Sequence, residues 1–119
     1  MNKHQWVKEF SGAVTVCDCE GIIIEMNDQA VKMFYNRGGN KLLSSNVLDC
    51  HPEPARTKLK QLMKQQQENV YTIEKNGIRQ LIYQSPWYVE GQYSGFVEIA
   101  LPIPDSMPHF VRDTGNAIL

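Results

Sequence analysis

Apolar and polar positions change period twice along the chain. At the start, Trp6, Val7 and Phe10 fall on one side of a short helical turn, with Lys3, Lys8 and Glu9 opposite. Residues 1–11 therefore read as an amphipathic helix that cannot stand alone and must pack on the chain's own sheet or on a second copy. Ser11-Gly12 stops it. The next apolar positions have strand character: Ala13, Val14, Val16 and Cys17 lead into Asp18-Cys19-Glu20-Gly21, and Ile22, Ile23, Ile24 and Met26 follow. The Asp18 carboxylate is placed to accept from the backbone two residues on, and Gly21 accepts the positive φ that strains other residues, so the pattern predicts a hairpin. Asn27 ends its second strand and is placed to cap a helix.

A helical period then runs through residues 28–35, with Ala30, Val31 and Phe34 on one side, and Asn36-Arg37-Gly38-Gly39 ends it. Residues 42–49 suit a single helical turn and a loop. Cys50-His51-Pro52-Glu53-Pro54 punctuates the chain, because each proline disfavours α geometry in its predecessor while fitting a first helical turn itself. A longer helix is predicted over residues 53–67, with Ala55, Leu59, Leu62 and Met63 facing a core and Arg56, Lys58, Lys60, Lys64 and Gln65 facing water. The period of two returns in residues 70–75, turns at Asn76-Gly77, continues through 78–89 with Pro86 inside it, turns again at Glu90-Gly91-Gln92 and ends in 93–101, where Val97, Ile99 and Leu101 alternate. The proline-rich stretch beyond is no helix, although Met107, Phe110 and Val111 are candidates to dock. This divides the chain into an N-terminal helix (1–11), a domain (12–104) and a tail (105–119). The order β-β-α-α-α-β-β-β predicts an α+β fold: a five-stranded antiparallel sheet with helices covering one face.

Size and charge narrow the function classes. A chain of 119 residues forms one module. Twelve basic and thirteen acidic residues leave a net charge of −1, no footprint for nucleic acid or an anionic membrane. No apolar run approaches the roughly 20 residues of a membrane span, and residues 1–10 lack signal-peptide character, so a soluble cytoplasmic protein is expected. Cys17, Cys19 and Cys50 read as reduced, small apolar core residues, since C-x-C with a distant Cys-His pair is not a strong zinc pattern. No Ser-His-acid order, paired carboxylates, phosphate-binding glycine loop or two-histidine motif stands out, and no catalysis is expected.

Two stretches carry a family resemblance. D-C-E-G-I-I-I-E-M-N at residues 18–27 resembles the start of a PAS domain, and Q-S-P-W-Y-V-E-G-Q-Y-S-G-F-V-E-I at residues 84–99 resembles its last hairpin. The likeness spans residues 12–102. It implies a sensory or protein-interaction module of signal transduction, with a cavity between sheet and helices for a small molecule or cofactor. PAS photosensors of the LOV type carry G-x-N-C-R-F-L-Q before the long helix; residues 41–49 contain neither its cysteine nor its arginine, which argues against flavin. Heme-binding PAS domains place an axial histidine near that helix, which makes His51 the candidate for a heme-based gas or redox sensor; the competing reading has His51 bonding locally at the turn. For a small organic ligand the candidate walls are Met33, Phe34, Leu59, Met63, Leu81, Tyr83, Val97 and Ile99, and the candidate polar handles are Asn27, His51, Ser85 and Trp87. The same residues serve equally as plain core, and a slip of one residue in the strand over 78–89 would exchange Tyr83 and Ser85 for Ile82 and Gln84. A ligand-free dimerisation scaffold is the third reading. In each, Trp6, Val7 and Phe10 are expected at a homodimer interface, with a signalling protein as the further partner.

Overall fold

The computed structural model describes residues 5–113. Its strands are β1 (Ala13–Asp18), β2 (Ile23–Met26), β3 (Asn69–Lys75), β4 (Ile78–Val89) and β5 (Gln92–Ile103), and its helices are α1 (Gln5–Lys8), α2 (Asp28–Met33) and α3 (Ala55–Gln65). Three 3-10 turns, Tyr35–Arg37, Gly39–Leu42 and Val47–Cys50, join α2 to α3. The strands form one antiparallel sheet in the order β2-β1-β5-β4-β3, so the first hairpin sits beside the last strand. Among the described residues no helix is long and apolar enough to cross a membrane.

The local chemistry expected of the first hairpin is present. Asp18 Oδ1 accepts from the backbone N–H groups of Glu20 at 2.9 Å and Ile22 at 3.0 Å, and Gly21 sits at φ +86°. Asn27 caps α2 through its Oδ1, which accepts from Ala30 N–H at 3.0 Å. At α3, the Glu53 carboxylate accepts from the Thr57 N–H and hydroxyl at 2.9 and 2.8 Å, which holds its pKa below the usual value. The predicted helix over 53–67 is shorter at both ends, because Pro52, Glu53 and Pro54 form a turn and Gln66 ends the helix at φ +54°.

Cross-strand pairs show which side chains share a face. One row, Thr15–Glu98–Gln84–Asn69, and its neighbour, Ala13–Ala100–Ile82–Tyr71, point toward the helical segments. On this inner face Cys17, Ile23, Val47, Cys50, Leu59, Leu62 and Phe96 form one buried cluster, and Ala13, Ala30, Ile82 and Ala100 form a second. The row Val14–Ile99–Tyr83–Val70 lies on the outer face.

Three expectations are corrected here. The amphipathic helix expected over 1–11 ends at Lys8, its described part being Gln5–Lys8, and Lys3 with its neighbours in 1–4 lies outside the described residues. Met107, Phe110 and Val111 stand exposed rather than docked, and residues 114–119 are likewise outside the described range. Of the three cysteines Cys17 and Cys50 are core residues, while Cys19 is exposed in the hairpin turn.

Candidate functional site

The inner face carries an unusual feature for a sheet covered by helices: a polar row. Asn69, Gln84 and Glu98 occupy matched positions on β3, β4 and β5. Asn69 Nδ2 donates to Gln84 Oε1 at 3.0 Å, and Gln84 Nε2 donates to Glu98 Oε1 at 2.8 Å. Gln84 is only 4% exposed, so these bonds offset the cost of removing its amide from water. The row ends on His51, whose Nε2 lies 3.9 Å from Glu98 Oε1.

His51 directly follows the turn Val47–Cys50 and precedes α3. Its Nδ1 is 2.9 Å from the Val47 carbonyl oxygen, which only accepts, so Nδ1 carries a proton. The Cys50 thiol donates to the same carbonyl at 3.0 Å and lies 3.5 Å from Nδ1. With a carbonyl facing one ring nitrogen and a carboxylate the other, the charged imidazolium is favoured. Burial works against the charge, but Cys50, Glu98 and the Val47 carbonyl outweigh it and push the pKa up to about 10. Tyr71 is raised by burial and by the Glu98 charge.

Two spaces meet at this histidine. Between sheet and helices lies a small void of about 20 Å³, lined by Thr15, Cys17, Phe34, Val47, Cys50, His51, Leu59, Gln84, Phe96, Val97 and Glu98, with room for about one water. On its outer side a groove of about 470 Å³ runs between α3 and the β3–β4 ribbon, lined by His51, Pro54, Ala55, Lys58, Leu59, Asn69, Tyr71 and Gln84. His51, Leu59 and Gln84 belong to both spaces and form the partition between them.

The candidate site residues separate on these faces. Phe34, His51, Leu59 and Val97 line the void. Met63 packs against the first core cluster and Met33 against the second. Asn27 is no ligand handle: its side chain accepts from Val14 and Ala30 N–H and donates to the Val7 and Gly12 carbonyls, which uses its full bonding capacity. Leu81, Tyr83 and Ser85 share the outer face with their partners Leu101, Ile99 and Val97, so the wall expected from Leu81, Tyr83, Ser85 and Ile99 is replaced on the inner side by Ile82 and Gln84. Trp87 is not a handle either, because its indole N–H donates to the Cys17 carbonyl at 3.0 Å. Lys58, Asn69, Tyr71 and Glu98 were not among the sequence candidates, and Gln84 entered only as the alternative to Ser85 under a one-residue slip.

The void is far below the several hundred cubic ångströms of a typical cofactor pocket. His51 offers no open nitrogen to iron, since Nδ1 is bonded to a carbonyl and Nε2 faces Glu98. Heme does not fit this arrangement. Among the described residues no group of three His, Cys, Asp or Glu side chains is placed to hold a metal ion.

The outer face holds a different groove, of about 550 Å³, lined by Trp6, Val7, Phe10, Val14, Val16, Ile24, Glu25, Trp87, Val97, Ile99 and Leu101. The candidate interface residues thus gather on the sheet. Val7 is buried, whereas Trp6 is 69% exposed and meets Phe10 edge to face at 6.0 Å.

No family model matches the chain, and no curated protein does. Solved structures do. The PAS domain of BvgS from Bordetella pertussis is 17% identical with a TM-score of 0.62, over 84% of this chain and 82% of that one. The Aer2 receptor of Vibrio cholerae, a dual PAS-heme oxygen sensor, is 14% identical with a TM-score of 0.60, over 78% and 95%. A sensory box sensor histidine kinase from Vibrio cholerae is 14% identical with a TM-score of 0.61, over 87% and 90%. Likeness at this identity is likeness of fold.

Proposed function

We propose that this chain, whose fold is a PAS fold, is a sensory signalling module that takes a small molecule in the groove between α3 and the β3–β4 ribbon. One observation carries the reading: His51, Leu59 and Gln84 form a thin partition between a groove of ligand size and a void beneath it. A ligand in the groove touches α3 through Ala55, Lys58 and Leu59 and the sheet through Asn69, Tyr71 and Gln84. It therefore favours one setting of α3 against the sheet over another, a population shift with the His51–Glu98 contact as the sensitive joint. Ala55→Trp, at an exposed position of α3 that lines the groove, tests this. Small molecules that raise the melting temperature of the wild-type chain should leave this variant unmoved. An equal rise in both would place the binding elsewhere and refute the groove.

The partner-facing surface in this reading is the outer face, and its occupant is a second copy. Trp6 projects beside an apolar groove walled by Val14, Val16, Val97 and Ile99, so one patch carries both a knob and a hole, as a two-fold interface requires. Light scattering should find a dimer that Trp6→Ser or removal of residues 1–11 converts to monomer. A wild-type monomer at high concentration, or an unchanged dimer after truncation, would end this part of the proposal.

A further inference from the structure

The void beneath the partition carries nucleophiles as well as space. Cys17 and Cys50 both line it, and both belong to the buried cluster of the inner face. Their surroundings differ. Cys17 lies on β1, paired with Phe96 of β5, and burial pushes its thiol up. Cys50 ends the turn Val47–Cys50, where its Sγ lies 3.5 Å from His51 Nδ1. His51 Nε2 in turn faces Glu98 at 3.9 Å, so thiol, imidazole and carboxylate stand in series. With its pKa pushed up to about 10, His51 is an imidazolium at neutral pH. A cation beside a sulfur favours the thiolate, which is the reactive form. At rest the Cys50 thiol donates to the Val47 carbonyl at 3.0 Å, and the Nδ1 proton faces the same carbonyl at 2.9 Å. Loss of the thiol proton therefore leaves the Nδ1–H as the donor beside both oxygen and sulfur.

We propose that Cys50 is a redox-reactive thiol, oxidised by hydrogen peroxide to a sulfenic acid whose oxygen occupies the void, with His51 as its positioning residue. The Cys50 thiolate attacks one peroxide oxygen, an S–O bond forms as the O–O bond breaks, and the departing hydroxide takes up the proton that left the thiol and becomes water. Sulfur gives up two electrons and the peroxide gains them. The product adds a single oxygen atom beside Sγ, and a void of about 20 Å³ has room for it. The same smallness excludes bulkier oxidants. This reaction is separate from binding in the groove, yet it acts on the same partition, because His51 borders both spaces.

The test uses the full chain, with the exposed Cys19 as an internal reference. After brief exposure at neutral pH to hydrogen peroxide or to tert-butyl hydroperoxide, the oxidant is removed, the chain is unfolded in dimedone, and adducts are located by peptide mass spectrometry. Hydrogen peroxide should mark Cys50 faster than Cys19, whereas tert-butyl hydroperoxide should mark Cys19 alone. His51→Gln should slow the reaction of Cys50 with hydrogen peroxide about tenfold, the loss expected for one charge-assisted contact, and leave Cys19 unchanged. A loosened fold in that variant would do the reverse and open Cys50 to both oxidants; the wild-type comparison of the two oxidants then decides. Hydrogen peroxide reacting at Cys19 but not at Cys50, or equal rates at Cys50 in wild type and a folded His51→Gln, overturns the proposal. So does attack of tert-butyl hydroperoxide on Cys50 in the wild type, or recovery of a Cys17–Cys50 disulfide in place of the adduct.

Discussion

Two side chains decide much at the scale of single residues. His51 has a raised pKa, about 10, against an ordinary value of 6.5 in the unfolded chain. The charged ring is thus held more tightly in the folded state. Its contribution is fully present below about pH 6.5 and is lost as pH rises through 10, with a slope of up to about 1.4 kcal/mol per pH unit between. Urea titrations at a series of pH values should show that slope in the wild type and its absence in His51→Gln; parallel curves would mean that the ring is neutral when folded. Asn27 acts by geometry alone. Truncation in Asn27→Ala leaves the Val7 and Gly12 carbonyls and the Val14 N–H without their partner, and should cost roughly 2–4 kcal/mol in denaturant unfolding. Asn27→Asp keeps the accepting oxygen but sets a second oxygen against the Val7 and Gly12 carbonyl oxygens, so it should cost at least as much as Asn27→Ala.

Among the elements, β5 is the central strand, between β1 and β4. Trp87 on β4 is paired with Gly95 and reaches past it to the Cys17 carbonyl on β1. A methyl group at Gly95 would run into that carbonyl oxygen and come within 2.7 Å of the indole nitrogen, at a φ of +152° that side chains rarely adopt. Gly95→Ala should destabilise the chain by more than about 2 kcal/mol and shift Trp87 emission to the red as the indole loses its bond. The elements themselves were legible from period and turn chemistry, since Asp18, Gly21, Asn27 and Asn76-Gly77 each act locally. The faces of β4 were less so, because Leu81 and Tyr83 are as apolar as Ile82, and the buried Gln84 is polar. The Asn76-Gly77 turn does set Asn69 opposite Gln84. The bulge between Trp87 and Tyr88 then advances β5 by one residue, and puts Glu98, where an unbroken hairpin would put Val97, opposite Gln84. The site's key carboxylate therefore depends on an irregularity that no local pattern announces.

Over the whole molecule, the two sides of the sheet share their polarity unusually: the helix-covered side holds an amide and carboxylate row beside its apolar clusters, and the open side carries an apolar groove of valines, isoleucines and tryptophans. Tryptophan quenching can read the open side. Trp6, in a Trp87→Phe background, should be quenched by iodide in dilute protein and become protected as concentration rises; an indifferent Trp6 would argue against pairing of copies there. Added hemin should give the same spectrum with the wild type as with His51→Ala, and a Soret band lost only in the variant would mean that the helices open far wider than the 20 Å³ void implies. The polar row also has a meaning for how the sheet finds its alignment. A slip of two residues keeps every side chain on its proper face, so hydrophobic sorting alone cannot detect it. Such a slip would set Asn69 against Ile82 or Pro86, and Gln84 against Phe96 or Ala100, leaving three polar groups stranded under the helices. The row thus adds a cost to slipped pairings that hydrophobic sorting would miss.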